Sequence, residues 1–477
     1  MPRELIAVLL AAFTVTLGPA CGPGETQCDQ GCTVLYATDG NLALGGNNED
    51  YLIPLTKVWF APATSDSFGA VYFGFANYFP QGGMNDQGLF FDGLALSETV
   101  PLDVEGKEPA QAAPGDMILA RCGTVACAVE VLEQYSFGES WNYQLFFGDA
   151  TGESAIVEPG EIIRQRGSFQ VATNFRQSVT PDDEITCPRY LTAVDMLSSM
   201  DVLSIENMRH VLDAVHVEEG SQTLYSNVYD LTQRRVYVYY FHDYEHSVVF
   251  DLAEELAQGA HSYDLPALFP PNPAAEAWAA EPMSRYWQAV DSRRATGEEL
   301  PDLSVYEGEY AMPPEWAPVG TTAVVTASDE SLVLELPDAS RFELYPETDT
   351  RFFHVGFRGP DPATLFEAEF TLDEAGRVVA MVMPLGSDDV VFPRIASGEA
   401  TEDSVPPAAT TSTPITSTTS IPAASTIPRP STTSTAPPLA SESQGGSGAL
   451  WPYLGASAAL AALSLGWFLR RRHGAGP

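Results

Sequence analysis

The stretch that decides the fold lies at residues 31 to 51 and reads GCTVLYATDGNLALGGNNEDY. It contains two strand-like runs separated by the turn at Asp39-Gly40, and the second run ends near the carboxylate of Asp50. Strands joined by so short a turn run antiparallel, so Asp50 is expected beside the start of the first strand, where Gly31 and Cys32 lie. Cleavage before Cys32 would create an N-terminal residue that carries both a thiol and an α-amine. The amine can then act as a base for the thiol.

Both ends of the chain carry segments typical of exported, membrane-anchored proteins. Residues 1–20 contain an apolar run that ends in small residues, which predicts a signal peptide, and a propeptide is expected at 21–31. Residues 398–447 are dominated by Thr, Ser, Pro and Ala and predict an unfolded stalk. Residues 448–470 have the length and the basic flank of a transmembrane helix, with a cytoplasmic tail at 471–477. We therefore expect a single-pass protein of the cell membrane whose folded part lies outside the cell.

Export changes how the cysteines are interpreted. The chain has six of them, namely Cys21, Cys28, Cys32, Cys122, Cys127 and Cys187. Because cysteines of exported proteins commonly form disulfides, a bond from Cys32 to Cys21 or Cys28 is the alternative to a free nucleophile. Cleavage before Cys32 would leave three other cysteines, and we expect one disulfide among them with its pairing open. Cys21 loosely matches the position that bacterial lipoproteins lipidate, so lipidation is a further alternative.

The charge balance excludes one class of partner. The chain has 23 basic and 64 acidic residues and a formal net charge of −41. So negative a surface repels nucleic acid, and we expect no nucleic-acid partner. No cofactor motif is present, and no spacing of cysteines or histidines indicates a metal site. His242 and His246 follow a strand-like run, where side chains four residues apart are separated by about 13 Å and do not share an ion.

The middle of the chain predicts two folded domains. Residues 32–265 alternate strand-like runs with helical patterns, the longest of which covers 114–135. This predicts an α+β fold in which two antiparallel sheets stack between helices, a four-layer αββα arrangement. A linker rich in Pro and Ala follows at 266–300. Residues 301–397 predict a smaller all-β domain, which resembles the accessory β domain of secreted serine hydrolases in its opening, Tyr-Glu-Gly-Glu-Tyr at 306–310.

Several motifs between residues 32 and 174 follow one another in the order of a known family. They are Cys32-Thr33, GNNED (46–50), GGMNDQGL (82–89), DATGES (149–154), Glu158 and Thr173-Asn174. In these motifs the chain resembles the choloylglycine hydrolase and penicillin V acylase family of linear-amide hydrolases, which belong to the N-terminal-nucleophile superfamily. The resemblance covers under half of the chain. It implies the four-layer fold, a small-molecule amide substrate and no cofactor.

The resemblance also implies roles for particular residues. Cys32 would attack the amide carbon, and Asp50 would orient its freed amine. The side-chain amide of Asn174 and the backbone N–H of Ala95 would hold the oxyanion. Asn47, in the substrate-binding region, stands where the bile-salt and penicillin V hydrolases have an arginine, and no counterpart of the family's later arginine is found after Ile205. The resemblance therefore favours the same chemistry on a different substrate.

These observations predict a hydrolase of linear carbon–nitrogen amide bonds that acts through a thioester on Cys32 and matures by cleavage before that residue. Two other functions are open on the sequence alone. One is an acyltransferase of the same superfamily, in which an amine resolves the thioester. The other is an inactive binding module displayed at the cell surface. The acyl group, the amine of the substrate and the oligomeric state are left open.

Overall fold

The structure is a computed structural model, and it describes residues 31–110, 112–295, 301–313, 322–337, 340–358, 360–385 and 388–395. The predicted signal peptide, stalk, transmembrane helix and tail, and the propeptide up to residue 30, lie outside these ranges. The strands are β1 (Thr33–Thr38), β2 (Ala43–Tyr51), β3 (Thr56–Ala61), β4 (Ala70–Phe75), β5 (Pro80–Asn85), β6 (Leu89–Pro101), β7 (Glu108–Pro109), β8 (Tyr135–Ser136), β9 (Ser140–Asp149), β10 (Ser154–Glu158), β11 (Glu161–Arg164), β12 (Phe169–Ala172), β13 (Gln222–Asp230), β14 (Arg235–Tyr240), β15 (Asp243–Asp251), β16 (His261–Asp264), β17 (Gly308–Ala311), β18 (Thr322–Ala327), β19 (Leu332–Glu335), β20 (Arg341–Pro346), β21 (Arg351–Arg358), β22 (Asp361–Leu372), β23 (Val378–Leu385) and β24 (Asp388–Pro393). The helices are α1 (Pro114–Arg121), α2 (Val125–Gln134), α3 (Pro188–Ser198), α4 (Ile205–Ala214), α5 (Leu252–Leu256) and α6 (Pro273–Asp291).

The chain is a mixed α/β protein made mostly of sheet. Its first sheet has the strand order β12-β1-β2-β13-β14-β15, and all neighbours in it are antiparallel. The hairpin predicted around Asp39-Gly40 is confirmed as β1 and β2, in which Thr33 pairs with Asn48. This register places Glu49 and Asp50 beside the residue that precedes β1.

A second sheet lies against the first. Its order is β11-β10-β9-β6-β5-β4-β3-β16. Buried apolar side chains of both sheets pack together, and the aromatic ones among them include Tyr36, Phe73, Phe90, Phe146 and Tyr229. Side chains of a strand alternate between its two faces, so each sheet has another face left to cover.

Helices cover the remaining faces. On the first sheet, Leu35 and Leu44 pack in one cluster with residues of α3 and α4, and on the second Phe91 packs with residues of α1 and α2. The helix predicted over 114–135 is interrupted, because the chain turns at 122–124 and Thr124 caps a new helix by accepting a hydrogen bond from the backbone N–H of Cys127. A disulfide joins Cys122 to Cys127 across this break.

The stretch predicted as a linker contains the longest described helix. Helix α6 begins where Asn272 accepts hydrogen bonds from the backbone N–H groups of Ala274 and Ala275, with a proline at the first helical position. Its Tyr286 and Trp287 are buried against Tyr345 of β20 and Phe353 of β21. The Ala and Pro content that suggested a linker therefore fits a capped helix with one apolar side.

A third sheet follows, as the sequence predicts for residues 301–397. Strands β17 to β24 form it in simple chain order, each antiparallel to its neighbour. Within the part of the chain that the structure describes, no helix combines the length and the apolar character that a membrane span needs. The predicted span at 448–470 lies outside that part.

Candidate active site

Cys32 lies at the head of β1 with its thiol inside the protein. The residue is 6% exposed, and the structure has it as a free thiol and not in a disulfide with Cys21 or Cys28. Its Sγ lies 3.9 Å from the backbone oxygen of Asp50. Burial, and then the carboxylates of Glu49, Asp50 and Asp92, raise the pKa of the Cys32 thiol well above its ordinary value. The thiol of the uncut chain is therefore protonated and needs a base.

Asp50 is the last but one residue of β2 and lies beside Cys32, as its position in the hairpin predicts. Its Oδ1 accepts a hydrogen bond of 2.5 Å from the Thr223 hydroxyl. Its Oδ2 is buried, has no hydrogen-bond partner and lies 3.9 Å from Nη1 of Arg189. Burial raises the pKa of Asp50 to about 7, although Arg189 and the Thr223 hydrogen bond oppose the rise. A buried carboxylate oxygen without a donor favours a cationic donor close by.

Arg189 places a guanidinium beside Cys32, and no pattern in the sequence predicts this contact. It lies in the first turn of α3, and its Nη1 donates to the Cys32 backbone oxygen at 2.7 Å and to the Thr33 hydroxyl at 2.8 Å. Its Nη2 donates to Oδ1 of Asn174 at 3.2 Å. Cys187, the residue directly before α3, is disulfide-bonded. One side chain thus contacts three of the residues that form this region.

Asn174 and Ala95 lie together, as the resemblance implies. The Asn174 amide donates to the backbone oxygen of Ala95 at 3.0 Å, which leaves its second N–H for another acceptor. A Cβ added to Gly31 would lie 2.4 Å from Oδ1 of Asn174, and Gly31 has a φ of +119°. The bond predicted to be cut therefore has Gly31 packed against the predicted oxyanion donor. Use of the Ala95 N–H as a second donor stays a prediction.

The loop that carries Asn174 is held by buried polar side chains. Gln144 donates to the backbone oxygens of Thr173 at 2.5 Å and of Phe175 at 3.3 Å. The carboxylate of Glu158, part of one sequence motif, accepts from the backbone N–H of Gln177 at 2.5 Å. These bonds fix the loop on both sides of Asn174, which is what a preorganised hydrogen-bond donor requires.

Asn47 contacts another residue and not the nucleophile. It is buried on β2, and its Oδ1 accepts from Nδ2 of Asn227 at 3.0 Å. Next to it on the same face lies Glu49, which is hydrogen-bonded to Cys32. Asp92 is fully buried, and neither of its carboxyl oxygens has a hydrogen-bond partner, nor has Oε2 of Glu49. Burial raises the pKa of both carboxyl groups, and the repulsion from a neighbouring carboxylate adds to the rise.

The raised pKa of Asp50 predicts a pH-dependent stability. The folded chain holds the Asp50 proton more tightly than the unfolded chain, so this contribution is complete below about pH 4 and is lost as the pH rises to about 7. We expect Asp50 to lower the free energy of unfolding by about 2–4 kcal/mol between these limits. Asp50→Asn should remove this contribution to the slope of the unfolding free energy against pH. Urea unfolding at a series of pH values measures it, with Cys32→Ala in both chains to prevent cleavage.

The control for this measurement is Asp66→Asn, which changes a carboxylate on an exposed loop and should leave the slope as it is. Glu49 and Asp92 remain in every variant, but removal of the Asp50 charge also lowers the pKa of Glu49, so the measured change in slope contains the contributions of both Asp50 and Glu49. Equal slopes with and without the Asp50 carboxyl would contradict the prediction.

Comparisons with known proteins give the following likenesses. Residues 293–394 match the family described as a domain of unknown function (DUF3471). No curated protein matches the chain. Among solved structures, a penicillin V acylase from Agrobacterium tumefaciens is similar at 21% identity and a TM-score of 0.40, over 49% of this chain and 91% of that one. A mutant conjugated bile acid hydrolase from Clostridium perfringens is similar at 18% identity and a TM-score of 0.39, over 49% and 96% of the two chains. A second variant of that hydrolase has 17% identity and a TM-score of 0.40, over 49% and 97%.

Proposed function

We propose that the chain is a hydrolase of linear carbon–nitrogen amide bonds whose nucleophile is Cys32 at a newly formed N-terminus. One juxtaposition carries the proposal. Gly31 packs against the Asn174 amide, while Cys32 lies beside Asp50 and accepts a hydrogen bond from Arg189. The peptide bond between Gly31 and Cys32 is therefore surrounded by a buried thiol, a side-chain N–H donor and a carboxylate. These are the groups that cleavage of the bond needs.

Maturation would begin at the bond between Gly31 and Cys32. The thiol attacks the Gly31 carbonyl carbon, the carbon–nitrogen bond breaks, and the thiol proton passes to the departing nitrogen. Water then hydrolyses the resulting thioester, which leaves a carboxylate on Gly31 and restores the thiol. The free N–H of Asn174 is the donor for the negative charge that develops on the carbonyl oxygen.

The freed amine of Cys32 then acts as the base. An α-amine has an ordinary pKa near 8, so it exchanges protons close to neutral pH. It takes the proton of the thiol as Sγ attacks the substrate, and it gives that proton to the leaving amine. Oδ2 of Asp50 would accept a hydrogen bond from the protonated amine, which supplies the donor that this oxygen otherwise lacks.

The buried carboxyl groups narrow the class of substrate. Glu49 and Asp92, whose charges act on the Cys32 thiol, together have three oxygen atoms without a hydrogen-bond partner. Such atoms favour a substrate that brings hydrogen-bond donors, above all a primary amine or a hydroxyl. They disfavour a carboxylate in the same place. We therefore propose an amide substrate with an amino or hydroxyl group near the cleaved bond.

Asn174→Ala should slow amide hydrolysis about 10²–10³-fold and slow the cleavage before Cys32 as well, because it removes an oxyanion donor. Both rates are measured on the same preparation, by amine release and by intact mass. Asn207→Ala is the matched control, since Asn207 hydrogen-bonds the exposed backbone of Val202 and no residue of this site. Equal rates for the two variants would count against Asn174 as a donor.

The function is tested with a panel of N-acyl amides that differ in one group near the cleaved bond: amino, hydroxyl, hydrogen or carboxylate. We expect amine release with the amino or hydroxyl members and covalent labelling of Cys32 by a thiol-reactive probe. Products formed in the presence of an added amine distinguish hydrolysis from acyl transfer. A chain that neither releases amine nor reacts at Cys32 would instead be a binding module.

We further propose the four-layer αββα arrangement of N-terminal-nucleophile hydrolases for residues 32–265 and a separate β domain for 301–397. The two face-to-face sheets and the helices packed on each of them support the first part. We also propose export and a single membrane span at 448–470. The Cys122–Cys127 disulfide supports an oxidising compartment. Protease treatment of intact cells tests the location, because an outward-facing ectodomain would be digested.

A further inference from the structure

Three side chains outside the Cys32 site meet next to the end of α4. They are His216 and Glu218, in the segment that follows the helix, and His242, in the turn between β14 and β15. One ligand atom from each lies within 4.8 Å of the others. Nε2 of His216 is 2.8 Å from Oε1 of Glu218, and the two imidazole rings are 4.9 Å apart. Two imidazoles and a carboxylate form a donor set that transition metals prefer.

Backbone carbonyl groups orient both imidazoles. Nδ1 of His216 lies 2.5 Å from the backbone oxygen of Asp213, and His242 is hydrogen-bonded to the backbone of Val217. Nε2 of His242 is buried and has no hydrogen-bond partner. These contacts assign a proton to Nδ1 of each ring and leave each Nε2 with a lone pair that can bind an ion. Metal-binding histidines in proteins are held by a second hydrogen bond of this kind.

The turn that presents His242 has an unusual backbone. Phe241 and His242 are its two central residues, because Tyr240 pairs with Asp243, and their φ angles are +45° and +63°. Turns with positive φ at both positions favour Asn and Gly, which tolerate that conformation. Two large side chains there are strained, and strain of this kind gathers at binding sites. This turn conformation places the His242 ring beside the His216 ring.

The short distance between His216 and Glu218 needs a positive charge. If Nδ1 of His216 donates to Asp213, then its Nε2 and the Glu218 oxygen both present lone pairs at 2.8 Å. A proton or a metal ion can lie between them. The proton satisfies only that pair, whereas a metal ion also satisfies the buried Nε2 of His242.

We propose that His216, Glu218 and His242 bind a divalent transition-metal ion, with zinc the best match to the donor set. Two imidazole nitrogens and one carboxylate oxygen supply three positions of a tetrahedral zinc site, and water can fill the fourth. Glu218 is exposed, so the ion can enter from solvent.

Two hydrogen bonds in series connect the segment between His216 and Glu218 to Asp50. The Thr223 hydroxyl accepts from the backbone N–H of Val217 at 2.8 Å and donates to Oδ1 of Asp50. An ion held by the residues on both sides of Val217 would fix this segment, and through Thr223 it would fix the Asp50 carboxyl. The ion is thus a positioning element, and its binding does not depend on the chemistry proposed for Cys32.

The test is a zinc titration of the full chain, purified without an affinity tag, against a chromophoric chelator. We expect one equivalent of zinc per chain with a dissociation constant below about 1 μM. His242→Asn should weaken binding at least about 100-fold, as loss of one of three ligands does. Asn tolerates positive φ, so this variant keeps the turn and should fold. His246→Ala is the control, since His246 lies on the next strand and pairs with Asp243 at 2.9 Å.

A second measurement separates a bound ion from a simple ion pair. Cobalt in place of zinc should give the intense visible absorption of a four-coordinate site, and the band should be absent from His242→Asn. Zinc should also raise the melting temperature of the parent chain but not of His242→Gly, whose glycine relieves the strain. No stoichiometric zinc, or equal affinity in the parent and His242→Asn, would leave only an imidazolium–carboxylate pair and overturn the proposal.

Discussion

Cys32→Ala should leave the chain uncut before residue 32 and reduce amide hydrolysis at least about 10⁴-fold, because both reactions use the same sulfur. The structure has Cys32 as a free, buried thiol beside Asp50, so no other described cysteine can take its place. Cys32→Ser keeps a weaker nucleophile and should be cut slowly, with its hydrolysis still close to background. Intact mass and N-terminal sequencing follow the cleavage, and amine release follows the hydrolysis.

The matched control removes two cysteines and keeps the nucleophile. Cys122→Ala with Cys127→Ala opens the disulfide at the break between α1 and α2, which should cost about 2 kcal/mol of stability. This double variant should still begin at Cys32 and still react with a thiol probe. An active protein whose N-terminus precedes Cys32 would refute the mechanism, and so would full activity in Cys32→Ala.

Arg189→Met should have the second largest effect. The substitution keeps an unbranched apolar stem and removes the hydrogen bonds to Cys32, Thr33 and Asn174 together with the charge 3.9 Å from Asp50. Breaking a buried ion pair from one side typically costs about 3–5 kcal/mol. We expect a loss of that size in the free energy of unfolding, and a fall of about 10²-fold or more in the rate of amide hydrolysis.

A comparable arginine elsewhere in the fold serves as the control. Arg209 on α4 pairs with Glu206 and Asp213, and its side chain is 10% exposed, against 8% for Arg189. Arg209→Met should cost no more than about 1 kcal/mol, since both of its partners are solvated. Arg189→Lys keeps the charge and loses the planar fork, so it should recover only part of the rate. Equal losses at Arg189 and Arg209 would show that Arg189 has no special role.

Local patterns in the sequence were enough to predict the core of the candidate site. The turn at Asp39-Gly40 fixes the pairing of β1 with β2, and that pairing alone brings Asp50 to Cys32. The motif that contains Asn174 follows a strand, and the structure places it against Gly31. The contact of Asp50 with Cys32 depends on hairpin register, which a sequence displays directly. The contact of Asn174 with Gly31 depends on the pairing of β1 with β12, and only the family resemblance implied a role for Asn174.

Contacts between distant parts of the chain could not be predicted in this way. Arg189 reaches Cys32 across 157 positions from the start of α3, and nothing in its local sequence distinguishes it from a surface arginine. The histidine pattern shows the same limit. Spacing drew attention to His242 and His246, whereas the structure brings His242 to His216, which belongs to a different element. Such pairs exist only once the strands have been ordered in a sheet.

The packing of Gly31 on Asn174 has a consequence for the acyl groups that the mature protein accepts. If the chain matures as proposed, the propeptide is the first acyl donor that the thiol meets, and Gly31 is its terminal acyl residue. A substituent on that α-carbon would lie 2.4 Å from the Asn174 side chain, so a branched residue would not fit there without a shift. The propeptide would then resemble the substrates that the mature protein accepts. We expect the fastest of them to carry an unsubstituted carbon next to the carbonyl.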